Sequence, residues 1–310
     1  MSPLAQAAAD YLRLRRAMGH ELAEHERLLP RFVAFLEASG ARTVTVQAAL
    51  DWAAEPDAPR GSTVPGRRMT IARGFARYLS GTDPEAEVPP PGMAGRRQHR
   101  HVPYIYTEDD IAVLTCLARQ EIRAPLRAAT IATLIGLLDA AGIRIGEAIT
   151  LDRGDIDWTE NVLTIRESKF GKSRLVPLHD SAASQLREYA RVRGQLMPQP
   201  GTGAFFTSLA GTRLIYRDVH HTFRTLVKLA GTGDGSPAIP RIHDIRHSFA
   251  VRTLIRWYRD GHDVQARLPW LSAYLGHREP RHTYWYLTGI PELLALAAQR
   301  LEKPEGDPAS

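Results

Sequence analysis

Between Asp83 and Gly92 the prolines Pro84, Pro89, Pro90 and Pro91 are gathered among acidic residues. No helix or sheet ladder continues through such a stretch, because proline fixes its own φ and has no N–H to donate. We therefore read the 310 residues as two cores on either side of it, a length that would also suit one large domain. A basic run, Arg96 to His101, follows the prolines. We read 1–82 as a first domain, 83–102 as an interdomain linker, Pro-rich and then basic, and 103–310 as a second domain.

The first domain has one periodicity. Apolar residues recur three and four apart in Pro3 to Met18, Leu22 to Ala38, Thr45 to Ala54 and Val64 to Leu79, punctuated by Gly40, the Pro56 to Gly61 stretch and Gly81. The second domain opens with Thr107 and Asp110 as a helix-capping box before the apolar stripe Ile111 to Leu117. Leu126 to Ala141 is strongly apolar and ends near Gly142; it is too short to span a membrane and reads as a core helix. The pattern then becomes that of short strands over Asp155 to Trp158, Val162 to Glu167 and Arg174 to Leu178, with turns at Thr159 to Asn161 and Phe170 to Ser173. Helices return at Ser181 to Arg193, Tyr216 to Ala230, His243 to Asp260, Gln265 to Leu275 and Glu292 to Leu301. The expected fold class is mainly α with a small antiparallel β-sheet, an α+β arrangement.

Composition narrows the function classes. A net charge of +6 carried mostly by arginine favours a polyanionic partner, since the guanidinium fork suits phosphate. The single cysteine, Cys116, excludes an internal disulfide framework and a thiolate zinc site, and we expect it to be buried in helix packing. No apolar run approaches membrane-spanning length, and Met1 to Asp10 lacks the basic and apolar regions of a secretory signal, so a cytoplasmic protein with no membrane partner is expected. Neither a Walker glycine loop nor an acidic cluster spaced for two metals is present. We expect no metal and no cofactor.

Four stretches carry the chemistry. His243-Asp244-Ile245-Arg246-His247 opens a helix, and Leu275-Gly276-His277 closes a later one, with Tyr286 nine residues beyond His277. Being three apart, His243 and Arg246 share a helix face. Gly276 suits the left-handed position at a helix end and would turn His277 toward the same point. Upstream, Ala141 to Glu147 places Arg144 just after the buried helix, and Ser168 to Lys172 places lysines on a hairpin turn. A phosphodiester resists attack unless positive charge surrounds its oxygens and the nucleophile is held in line. Arg144 and Arg246 would each present a fork of donors to one phosphate and stabilise the charge of the transition state. His243 and His277 would move the phenol proton or hold the phosphate, imidazole titrating near neutrality. Tyr286, with an ordinary pKa of about 10, needs that cationic surround to act as nucleophile.

On these residues, taken in order from arginine box through hairpin lysine, His-x-x-Arg and Leu-Gly-His to tyrosine, the chain resembles the tyrosine recombinases, the family of phage integrases, Cre and the Xer recombinases. The resemblance runs from about Pro103 to Leu301. It implies a catalytic second domain, and by place and pattern the first domain is similar to the family's core-binding domain. It further implies that Lys169 protonates the leaving 5′ oxygen and that Glu147 orients Arg144. Family spacing selects Tyr286 over Tyr284, and the end of the strand selects Lys169 over Lys172. Lys172, Arg96, Arg97 and Arg100 are expected to contact DNA phosphates. The implied partners are double-stranded DNA, further copies of the chain in a tetrameric synapse, and an accessory recombinase or DNA-bending factor. The apolar stripe in Glu292 to Arg300 would dock on a neighbouring protomer, as in relatives, or pack on its own domain. The implied activity is site-specific recombination through a 3′-phosphotyrosyl intermediate, serving a mobile element, phage or plasmid. A non-catalytic DNA-binding or architectural protein and a type IB topoisomerase are the alternatives.

Overall fold

Helical spacing of apolar residues builds the first of two units, Met1–His101, from α1 (Pro3–Ala17), α2 (Ala23–Ala38), α3 (Val46–Ala53) and α4 (Val64–Leu79). The structure, a computed structural model, describes residues 2–20, 22–56, 62–93, 102–168, 172–276, 293 and 298. Ser2 and Thr45 cap α1 and α3 by accepting the amides of Ala5 and Ala48, both at 3.1 Å. The stripes meet in a core of Leu29, Phe32, Leu36, Trp52 and Phe75, each large side chain adding about 1.5–3 kcal/mol by leaving water. The Pro-rich stretch lies back on this unit. Its proline carbonyls still accept hydrogen bonds, and Arg73 donates to Pro89 O (2.7 Å) and Pro90 O (2.9 Å), while Glu87 N donates to Val44 O (2.8 Å).

The second unit, Val102–Ser310, begins with α5 (Glu108–Glu121), capped reciprocally by Thr107 and Asp110 at 2.9 and 3.1 Å. Helix α6 (Pro125–Ala141) is apolar on nearly every face, which requires burial on all sides. It packs against α5, α8 (Asp180–Leu196) and α10 (Asp244–Arg259). A short helix, α7 (Ile145–Thr150), follows it. Strands β1 (Ile156–Asp157), β2 (Val162–Ser168) and β3 (Lys172–Pro177) form an antiparallel sheet in that order, with Leu163 opposite Val176 and Thr164 opposite Leu175. Helices α9 (Tyr216–Ala230) and α11 (Val264–Leu275) complete the described elements. Among the described residues the chain is mainly α with this one small sheet, and no helix is long and apolar enough to cross a membrane.

Several details depart from the sequence reading. Cys116 is exposed: the buried side of α5 is Ile111, Leu114 and Ala118, and a residue two places beyond Leu114 points away from it. Asp155 closes a 3-10 turn, accepting Asp152 N at 2.9 Å, so β1 is shorter than expected. β3 opens two residues earlier, at Lys172. Helix α7 was not anticipated. Of the expected helix Glu292 to Leu301, only Leu293 and Ala298 are described; Leu293 is helical and buried in its own chain's cluster with residues of α10 and α11.

Candidate active site

The site is assembled from helix ends. Gly142 closes α6 with φ 58°, and a Cβ there would lie 2.3 Å from the Phe249 ring, so the sharp exit requires glycine. The turn delivers Arg144 to the N-cap of α7. Glu147, at the third helical position, reaches back, as in one half of a capping box, to accept Arg144 N at Oε2 (2.8 Å), and it also takes Arg144 Nη1 at Oε1 (2.6 Å). Arg246, buried in the first turn of α10, donates Nη1 to Gly142 O (2.8 Å) and Nη2 to Leu275 O. His243 stands at the N-cap of α10 with no capping bond from its side chain. Its ring lies 5.1 Å from that of His247, edge to face.

Helix α11 ends at Gly276, with φ 64°. A helix terminus leaves its last carbonyls without intrahelical partners, and here three consecutive ones are taken by three guanidinium groups. Tyr274 O accepts Arg174 Nε (2.8 Å), Leu275 O accepts Arg246 Nη2, and Gly276 O accepts Arg144 Nη2 (2.7 Å). The arginines come from β3, α10 and the N-cap of α7, and the negative end of the helix dipole favours their charge. The remaining bonds of Arg174 run to Glu147, Nη1 to Oε1 (3.0 Å) and Nη2 to Oε2 (2.8 Å).

These contacts set the protonation states. Burial alone would raise the Glu147 carboxyl, whose side chain is 8% exposed. The Arg174 hydrogen bonds, the Arg144 amide and both guanidinium charges outweigh it and hold the pKa at about 2. His243 keeps one side open to solvent. The protein packed around the rest of its ring, then the charges of Arg246 and Arg144, lower it to about 4 against a smaller opposing pull from Glu147. It is therefore neutral at physiological pH, rather than titrating near neutrality as the sequence suggested.

Of the residues expected from the sequence, Arg144, Glu147, His243 and Arg246 converge here. Lys172 opens β3. Lys169, His277, Tyr286, Arg96, Arg97 and Arg100 lie outside the described residues. Sequence reasoning missed Arg174, taking it only as the start of a strand. The signal was the strand's own alternation: Arg174 shares the parity of Val176 and Leu178, which are buried, while Leu175 between them is 67% exposed. An arginine on the core side of a strand, beside a leucine facing water, marks a charge held for a reason.

A family model described as the phage integrase family matches residues 107–289, more than half of the chain. The chain belongs to this family, the tyrosine recombinases. It is 42% identical over 98% of both chains to a Sinorhizobium fredii protein designated integrase/recombinase y4rB. It is 28% identical to the tyrosine recombinase XerD of Pseudomonas aeruginosa over 92% of each. Among solved structures, the Tn1549 transposon integrase in complex with a circular intermediate DNA superposes with a TM-score of 0.64 over 95% of this chain and 99% of that one, at 16% identity. Fold is thus shared with the tyrosine recombinases well beyond the reach of sequence identity, and family membership supports a DNA recombinase activity.

Proposed function

We propose that this recombinase cuts and rejoins DNA at specific sites through a covalent bond between Tyr286 and a 3′ phosphate. The observation that carries the reading is the seating of Arg144 and Arg246 on adjacent carbonyls of one helix end, with a neutral His243 beside them. Two guanidinium groups so anchored need no reorganisation to receive the non-bridging oxygens of a phosphodiester, and preorganised charge of this kind is the main source of transition-state stabilisation in phosphoryl transfer.

In the forward step the Tyr286 Oη–P bond forms as the P–O5′ bond breaks. The phenol proton passes to His243, which is unprotonated and so able to accept it, and Lys169 supplies a proton to the departing 5′ oxygen. His277 adds a hydrogen bond to the phosphate, and Glu147 holds Arg144 at its angle. A 5′ hydroxyl of another strand then reverses the sequence, and the phosphotyrosyl ester conserves the bond energy without ATP or a divalent metal. An anionic phosphate in the cradle offsets the arginine charges that depress His243, so substrate itself improves the base.

Duplex DNA is the substrate. Support comes from the arginine-rich charge and from α9, whose exposed Arg217, His221, Arg224 and Lys228 follow one another at helical spacing along one face. Relatives of this fold have been solved with DNA bound. The first unit would clamp the duplex as a core-binding domain, Arg96, Arg97, Arg100 and Lys172 would touch phosphates, and protomers would pair as a tetramer on two sites to integrate, excise or resolve DNA.

The test uses the duplex that the wild-type protein selects from a random pool, nicked a few nucleotides 3′ of the cleaved phosphate so that the released 5′-hydroxyl strand departs. A covalent protein–DNA adduct should accumulate in excess EDTA and be lost in Tyr286→Phe. An adduct that persists in that variant sinks the assignment. Tight binding with no adduct would favour an architectural protein, and relaxation of any supercoiled plasmid a topoisomerase.

A further inference from the structure

We propose that Arg174 is a positioning residue of this site: by bridging Glu147 and the C-terminus of α11 it fixes the angle at which Arg144 meets the scissile phosphate. The inference rests on the recombinase reading for the phosphate, and on the observed contacts for the rest.

Arg174 is committed inward. Its side chain is 12% exposed, and three of its N–H groups are used, Nε on Tyr274 O and one from each Nη on the Glu147 carboxylate. A carboxylate offers about four acceptor positions. Those of Glu147 are filled: Oε1 takes Nη1 of both arginines, and Oε2 takes Arg144 N and Arg174 Nη2. With Arg174 occupying its share, Arg144 can place only one Nη on Glu147 and sends the other to Gly276 O. Without Arg174, two acceptor positions open, and the favoured geometry for a guanidinium and a carboxylate is the paired fork. Arg144 would then swing fully onto Glu147, leave Gly276 O, and turn its donors away from the cradle. The C-terminal end of α11 would lose two of its three arginine anchors at the same time.

The spacing at Gly276 supports this arrangement. A Cβ there would lie 3.0 Å from Arg174 Nη1 and 3.4 Å from Arg144 Nη1, so the backbone passes as close to both guanidinium groups as a glycine allows. The charged and titratable groups facing Glu147 are the guanidinium groups of Arg144 from its own cap and Arg174 from β3 and, at longer range, the neutral imidazole of His243 of α10, beside Arg246.

The experiment compares full-length wild type, R174A, R174K, E147Q and R174A/E147Q on the nicked selected duplex. At saturating DNA, single-turnover adduct formation by R174A should fall about ten-fold or more, since a misplaced group of this kind costs up to about a hundred-fold, while its DNA affinity stays within about two-fold. R174K keeps the charge but not the fork and should recover little. The loss in the double variant should be well short of the product of the two single losses, because both changes remove the Glu147–Arg174 contact and only the Arg174 bond to Tyr274 O is separate. Unchanged rate with weakened binding would make Arg174 a DNA contact and overturn the inference, as would losses that multiply in the double variant. In the DNA-free protein, carboxyl NMR should show Glu147 titrating higher in R174A and R174K. If the wild type forms no adduct, the recombinase reading fails, whereas an unmoved Glu147 titration refutes the role of Arg174 whatever the activity.

Discussion

Glutamine has the shape of glutamate and the charge of its protonated form, so Glu147→Gln does to the site at neutral pH what acid does to the wild type. The Glu147 carboxyl is held at about 2 against an ordinary value of 4.5. At about 1.4 kcal/mol per pH unit, its ionised contacts contribute about 3 kcal/mol to stability near neutrality. Because the folded pKa is the lower one, the unfolded chain takes up the proton first as the pH falls. The contribution is whole above 4.5 and disappears progressively toward about 2. Glu147→Gln should therefore be about 3 kcal/mol less stable than wild type near pH 7, in keeping with about 3–5 kcal/mol for breaking a buried ion pair, and the two should converge at about pH 2. Hydrogen exchange at Ala148 N, which donates to Arg144 O at 3.0 Å, reports the opening of α7 directly, and urea unfolding of the full chain supplies the global value. A gap that stays constant from about pH 5 to about pH 2 would refute Glu147 as the source. Equal stability near neutrality would refute the stronger claim, that two guanidinium groups outweigh the burial of this carboxylate.

Gly276→Ala places a side chain at φ 64° and crowds Arg174; it should lower stability by about 1–2 kcal/mol and slow adduct formation more than it weakens DNA binding, as thermal melts and single-turnover rates would show. Gly142→Ala meets the Phe249 ring at 2.3 Å and should be the more damaging of the two, by about 3 kcal/mol, read from urea unfolding. His243 should titrate near 4 in the DNA-free protein by imidazole NMR, well below its ordinary 6.5, and higher when the selected duplex is bound; its contribution to stability is present above 6.5 and is lost as the pH falls toward 4, and a midpoint at or above 6.5 without DNA would contradict the arrangement. Arg224→Ala on the outward face of α9 should weaken binding about equally for selected and random duplexes and reduce the slope of log affinity against log salt by about 1; an unchanged slope would remove α9 from the DNA surface.

What could be read in the sequence and what could not divides along a physical line. Gly142 and Gly276 were legible because a left-handed helix end is a local demand that one residue type meets. The apolar stripes, the capping box of Thr107 and Asp110, and the short sheet were legible for the same reason, since each is decided within a few residues. Cys116 was misplaced through helix phase, where an error of two positions exchanges the buried side for the exposed one. His243 was expected near its ordinary pKa because its depression comes first from burial in the fold and then from the charges of Arg246 and of Arg144, the latter 99 positions upstream (243 − 144). Arg174 lies on the far side of the same divide. Its strand parity, inward with Val176 and Leu178, was visible, but the purpose of an inward arginine is given only by Glu147 and by the carbonyl of Tyr274, 100 residues away. Motifs read along the chain identify groups that touch a substrate, because those recur in recognisable company. A group that holds other groups in place has partners scattered through the chain and no motif of its own, and in this protein the orphan carbonyls of α11 are where three such partners meet.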